Sequence, residues 1–194
     1  MANRLMDPIG RLMGLRYKSH PWHGVDIGID APKVLTSFVE MVTTDTVKYE
    51  VDKDSGMIMF DRVLYSPMHY SANYGFVPQT LWEDGDPLDV LVLSEEPLVP
   101  GCLVKCRPIG VLDMIDGGEG DAKVLAVPIK DPRFNHIKEV TDVGPHLLQE
   151  IQEFFRVYKN LQKKQVEVGE WQDRETAITY IQKSFELYDK EYKN

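Results

Sequence analysis

Cysteine is almost absent: Cys102 and Cys106, four residues apart, are the only two in 194, and they form neither a Cys-x-x-Cys motif nor a disulfide framework. Both are expected as reduced core residues of a cytoplasmic protein. Long hydrophobic runs are also missing. Nothing approaches the ~20 consecutive apolar residues of a membrane span, and residues 1–18 hold no continuous apolar segment of signal-peptide length. The chain lacks a cationic excess too. A net charge of −9 argues against a general nucleic-acid binder, whose affinity comes largely from cations neutralising phosphates. A multivalent anion would have to be held by local Lys and Arg or through bound metal. There are no repeats, linkers or low-complexity segments. At 43% hydrophobic and 27% charged, the sequence reads as one soluble domain over 1–194, with 1–34 as an N-terminal extension and loop packed on the body.

Within that extension, Leu5, Met6, Ile9, Leu12, Met13 and Leu15 alternate with Arg4, Arg11 and Arg16. This pattern predicts an amphipathic helix docked on the body or on a neighbouring subunit, with an organellar presequence as the alternative.

The densest chemistry is Glu83-Asp84-Gly85-Asp86-Pro87-Leu88-Asp89-Val90, with four carboxylates in seven residues. Two unit charges about 4 Å apart repel by roughly 4 kcal/mol at an effective dielectric near 20, so such crowding favours bound cations. Oxygen-only donors select a hard ion such as Mg²⁺, Mn²⁺ or Ca²⁺. A solvated acidic turn is the plain alternative. An EF-hand does not fit, because Asp89 stands where that loop needs Gly at position six, even though Glu95 falls at the twelfth place that calls for a bidentate Glu. Val90-Leu91-Val92-Leu93 comes next as a buried strand.

Around this turn, residues 19–32 read as loop, with His20 and His23 packing or capping rather than ligating metal. Residues 47–51 and 57–63 read as a hairpin. Period two places Lys48 and Glu50 on one face, with Ile58, Phe60 and Arg62 sharing a face of the returning strand. Residues 102–111 and 124–129 are expected strands, separated by a second acidic, glycine-rich turn over 113–123. From Pro145 the period becomes 3.6. Leu147, Leu148, Ile151, Phe154, Phe155, Tyr158 and Leu161 form one stripe, with Tyr158 and Lys159 at the helix end. A short strand over 165–168 precedes a last helix capped by Asp173. The expected fold class is α+β, with a small closed antiparallel sheet as the core.

Asp84-Gly85-Asp86-Pro87-Leu88-Asp89-Val90 resembles the signature of the family I soluble inorganic pyrophosphatases. Lys48-Tyr49-Glu50, Asp61-Arg62, Tyr70 with Asn73-Tyr74-Gly75, Asp116 with Asp121-Ala122-Lys123, and Phe154-Phe155 before Tyr158-Lys159 resemble the same family's motifs in order. The resemblance runs from about residue 40 to residue 188. It implies an OB-like five-stranded barrel with flanking helices, hydrolysis of pyrophosphate with Mg²⁺ (Mn²⁺ as substitute), and a homo-oligomer, hexamer before dimer.

Residue by residue, the resemblance makes Asp84, Asp89 and Asp121 ligands of the tighter Mg²⁺ sites. It makes Asp116 a ligand of the metals that come with substrate, and Glu50 an outer contact on the substrate side. Lys48, Arg62, Tyr74, Tyr158 and Lys159 become the phosphate-binding set, with Lys123 and Tyr70 as pocket residues. Asp86 becomes the acceptor of the attacking water's proton. The chain departs from the family at Glu40-Met41-Val42, where Glu-Ile-Pro is common, at Tyr70-Ser71 in place of Tyr-Pro, and at Gly117, where some relatives carry Glu. The competing class is an OB-like module that stacks single-stranded nucleic acid on its tyrosines.

Overall fold

Residues 20–193 are described by the structure, a computed structural model; the amphipathic stretch expected over 1–18 lies outside them. Five strands close a ring: β1 (Leu35–Met41), β4 (Asn73–Phe76), β5 (Asp89–Val92), β8 (Lys123–Pro128) and β6 (Leu103–Asp116). β1 pairs with both β4 and β6, which completes the closure. Four junctions are antiparallel as expected, but β5 and β8 run parallel. The short β7 (Glu119–Gly120) and β9 (Val166–Gln172) both add to β6. A separate two-stranded sheet is formed by β2 (Val47–Val51) and β3 (Ile58–Val63).

β5 and β8 read as near-continuous apolar runs because both of their faces are covered. Along β8, Leu125 and Val127 enter a core with Ile151, Phe154 and Phe155 of α1 (Pro145–Val157). Val124 and Ala126 enter a second core with Ala177 and Ile181 of α2 (Arg174–Tyr192). As predicted, Asp173 caps α2, accepting from Thr176 N at 2.8 Å. Tyr158 closes α1 as its C-cap. Leu161 falls beyond the helix on a 3₁₀ turn and is exposed, so the apolar stripe ends sooner than the periodicity suggested.

Two further boundaries moved. β6 continues through Asp113 to Asp116, which narrows the second acidic turn to a hairpin tip at Gly117-Gly118. Their φ values of +63° and +92° are those a two-residue primed turn demands, so glycine at 117 has a backbone reason. β9 runs on to Gln172 because β6 offers it a long pairing edge. His20 and His23 do pack and cap: His20 Nδ1 accepts from Trp22 N, and His23 Nδ1 lies 2.7 Å from Tyr188 Oη. Both cysteines are free, Cys106 buried and Cys102 partly so.

Candidate active site

The parallel junction brings the acidic residues together. Asp89 opens β5 and Lys123 opens β8, and the two are register partners. The fully sequestered Lys123 ammonium contacts both Asp89 and Asp121, one carboxylate from each acidic turn. Tyr74 Oη donates to Asp89 at 2.5 Å. Burial pushes the Asp89 carboxyl up to about 7, and Asp121 adds to this against the pull of Lys123. Asp84 is also raised, first by burial and then by Asp121 and Asp86. For Lys123, burial alone would favour the neutral amine, but Asp89 and Asp121 together outweigh it and keep the ammonium charged.

Among the described residues, no three His, Cys, Asp or Glu side chains close on a common point. Asp89 and Asp121 instead close on a cation that the chain itself supplies. A buried, oxygen-only donor set with raised affinity for positive charge fits a hard divalent ion.

The cationic side comes from the hairpin. Lys48 pairs with Arg62 but Tyr49 pairs with Phe60, so a bulge leaves Asp61 extra. That bulge turns Arg62 onto the face of Lys48 and Glu50, correcting the expectation that it shares a face with Phe60. Asp61 contacts Arg62 and lies 3.0 Å from Lys48, which also donates to Glu50 at 2.9 Å. Lys48, Asp61 and Arg62 side chains are all under a quarter exposed, while Glu50 at the edge of this face is nearly half exposed. Arg62 Nε is buried and finds no hydrogen-bond partner among the described residues, which suits an incoming anion. Tyr70 lies in the fields of Lys48, Arg62, Lys123 and Asp89, and burial raises its phenol. Tyr70 therefore lies close to both sides.

Lys159, just beyond α1, contacts Asp116 at the end of β6. Tyr158, also raised by burial, sits near Lys123, Asp116 and Asp121. Asp86 stands apart: it is half-exposed and ion-paired to Lys53 at the tip of the β2–β3 hairpin. Ser71 is partly buried.

Sequence reasoning missed three residues. Asp61 stood out only as a neighbour of Arg62, because a bulge leaves no mark in a period-two pattern. Lys53 looked like a turn residue. Glu40 drew notice only through its neighbours Met41 and Val42, yet it is buried on β1, accepts from Val51 N at 2.7 Å, and lies near Asp89, Lys48 and Glu50. A glutamate inside a run of otherwise uncharged strand residues was the available signal. Burial raises its carboxyl to about 8.

The unfolded chain ionises this group near its ordinary value while the fold keeps it protonated. Its stabilising contribution is therefore present at low pH and is lost as pH rises towards 8. Glu40→Gln should remove that dependence: between pH 5 and pH 8, urea unfolding of the metal-free variant should gain on the parent by about 2–4 kcal/mol, at 1.36 kcal/mol per pKa unit. A constant difference between the two proteins would rule out a protonated Glu40.

The family model for inorganic pyrophosphatase matches residues 37–189. A soluble inorganic pyrophosphatase from Oryza sativa subsp. indica is 49% identical over 170 residues, covering 88% of this chain and 79% of the relative. An inorganic pyrophosphatase from a Nostoc strain is 50% identical over 157 residues, covering 81% and 93%. The crystal structure of inorganic pyrophosphatase from Thermus thermophilus aligns with a TM-score of 0.84 at 42% identity, covering 88% of this chain and 99% of that one. The chain belongs to the inorganic pyrophosphatase family. It is accordingly an enzyme of the inorganic diphosphatase type, on the OB-like fold that its neighbours share.

Proposed function

We propose that this protein hydrolyses inorganic pyrophosphate to two phosphates with Mg²⁺, for which Mn²⁺ can substitute, and that Asp86 accepts the proton of the attacking water. The observation that carries this reading is the closure of Asp89 and Asp121, one from each acidic turn, on a single buried cation. A polyanion cannot enter so acidic a cleft until those carboxylates are neutralised. Asp84, Asp89 and Asp121 would hold the tighter ions, and Asp116 those that arrive with substrate. Bound there, Mg²⁺ supplies Lewis-acid polarisation of phosphoryl oxygens and lowers the pKa of a bound water.

The protein's own groups do the rest. Lys48, Arg62, Tyr74, Tyr158 and Lys159 bind phosphoryl oxygens and stabilise the charge that shifts onto the leaving phosphate. Glu50 and Asp61 orient Lys48 and Arg62. Lys123 and Tyr70 shape the pocket. Asp86 is free to take a proton, because its link to Lys53 is a half-exposed ion pair of small strength.

Against the nucleic-acid reading stands the burial of Tyr70, Tyr74 and Tyr158 in the core, although Tyr65 is exposed. No helix among the described residues is long and apolar enough to cross a membrane. We place the enzyme in the cytoplasm as a homo-oligomer, a hexamer before a dimer; a sedimenting particle of monomer size would exclude this. The direct test is phosphate release from pyrophosphate across a Mg²⁺ titration and with chelator. Release should require the metal, and its absence at every Mg²⁺ concentration would overturn the reading.

A further inference from the structure

Glu83 opens the first acidic turn, and its position ties that turn to the second. Its carboxylate lies where a Cβ at Gly120 would come, so Glu83 sits at the place where the 83–89 and 116–121 turns meet. The same carboxylate pairs with Lys183 of α2. That pair is half-exposed and weak alone, but it is not alone. The Lys183 ammonium also sits 4.9 Å from the Trp82 ring, which stacks on Tyr180 at 5.1 Å. Tyr180 Oη in turn donates to Asp113 on β6 at 2.8 Å, and Leu81 N donates to Ser184 O at 3.0 Å. One face of α2, from Tyr180 to Ser184, thus grips both the loop that enters the first acidic turn and the strand β6 that leads into the second.

We propose that Glu83, held by Lys183, is a positioning residue that sets the spacing between Asp84 and Asp89 on one turn and Asp121 on the other, and so the affinity of the site for divalent cation. The inference rests on the reading that these aspartates hold Mg²⁺. Its physical basis is that a carboxylate wedged between two acidic loops repels both unless a fixed cation anchors it. With that anchor, the loops are kept at one separation.

Two mechanisms predict opposite signs for Lys183→Met. If Lys183 acts only through its charge, removing a cation near the site strengthens Mg²⁺ binding. If it acts by holding Glu83, the binding weakens. Calorimetric Mg²⁺ titration of the substrate-free protein should show Lys183→Met and Glu83→Gln each weakening binding by about tenfold, the scale of losing an outer partner of a metal ligand. The double variant should be little worse than either single one, because the two residues act as a unit. Lys183→Arg should restore most of the affinity, and thermal unfolding should confirm that all variants are folded. Tighter or unchanged binding in Lys183→Met, with the parent binding Mg²⁺ normally, overturns the positioning role while leaving the proposed function intact. A parent protein that binds no Mg²⁺ overturns both.

Discussion

Asp86→Asn should lower kcat by about 10²–10⁴, the usual contribution of general base catalysis, while leaving the Mg²⁺ concentration for half-maximal activity unchanged. The substitution keeps size and shape and removes only the proton acceptor. Asp89→Asn should also lower kcat, but it should raise the Mg²⁺ requirement, because Asp89 lies among the carboxylates that share the buried cation. The structure separates the two residues in a way that supports this contrast. Asp89 is surrounded by Tyr74 and Lys123, whereas Asp86 reaches out to Lys53. Calorimetric titration of both variants beside steady-state kinetics decides the matter. If Asp86→Asn loses Mg²⁺ as severely as Asp89→Asn, Asp86 is a ligand and the water's proton leaves by another route.

Lys123→Met should destabilise the metal-free protein by about 3–5 kcal/mol at pH 8, the cost of leaving buried charges without their partner. Methionine fills much the same volume, so the loss would be electrostatic rather than a cavity. At pH 5 the penalty should shrink. Asp89 already titrates near 7 with the ammonium beside it, and without that ammonium it would protonate more readily still. Millimolar Mg²⁺ should restore part of the loss at pH 8 by binding the folded state alone. Urea unfolding at both pH values measures all of this. A change below about 1 kcal/mol at pH 8, as for an exposed pair, would show that Lys123 does not hold those carboxylates together.

Most of the acidic side was legible in the sequence because its chemistry is local: Asp84, Asp86 and Asp89 stand on one turn, and Asp116 and Asp121 on another. The helix carrying Tyr158 and Lys159 was legible from its period. What the sequence hid depends on long-range pairing. That β5 and β8 run parallel, and so seat Lys123 beside Asp89, comes from ring closure and from no local pattern. Asp61 hid because only the partner strand reveals which residue of a bulge is the extra one. Glu40 hid because burial, not spacing, sets its character. Gly117 stood out in the sequence only as a departure from relatives that carry Glu, and its left-handed backbone supplies a reason for glycine.

Among the described residues the β2–β3 hairpin forms its own sheet, pairing with no strand of the ring and tied to it by the Glu40 side chain of β1, which accepts from Val51 N. β6, in contrast, pairs with four other strands, β1, β7, β8 and β9. Lys48 and Arg62, which we propose bind phosphate, and the carboxylates we propose hold metal therefore belong to different cooperative units, and the first can open without breaking the strand pairing of the second. Amide hydrogen exchange would read this as hairpin protons exchanging by local opening while those of central β6 wait for global unfolding; equal protection of the two would refute it. An enzyme built this way can loosen its grip on a product anion while its metal-binding scaffold stays assembled for the next turnover.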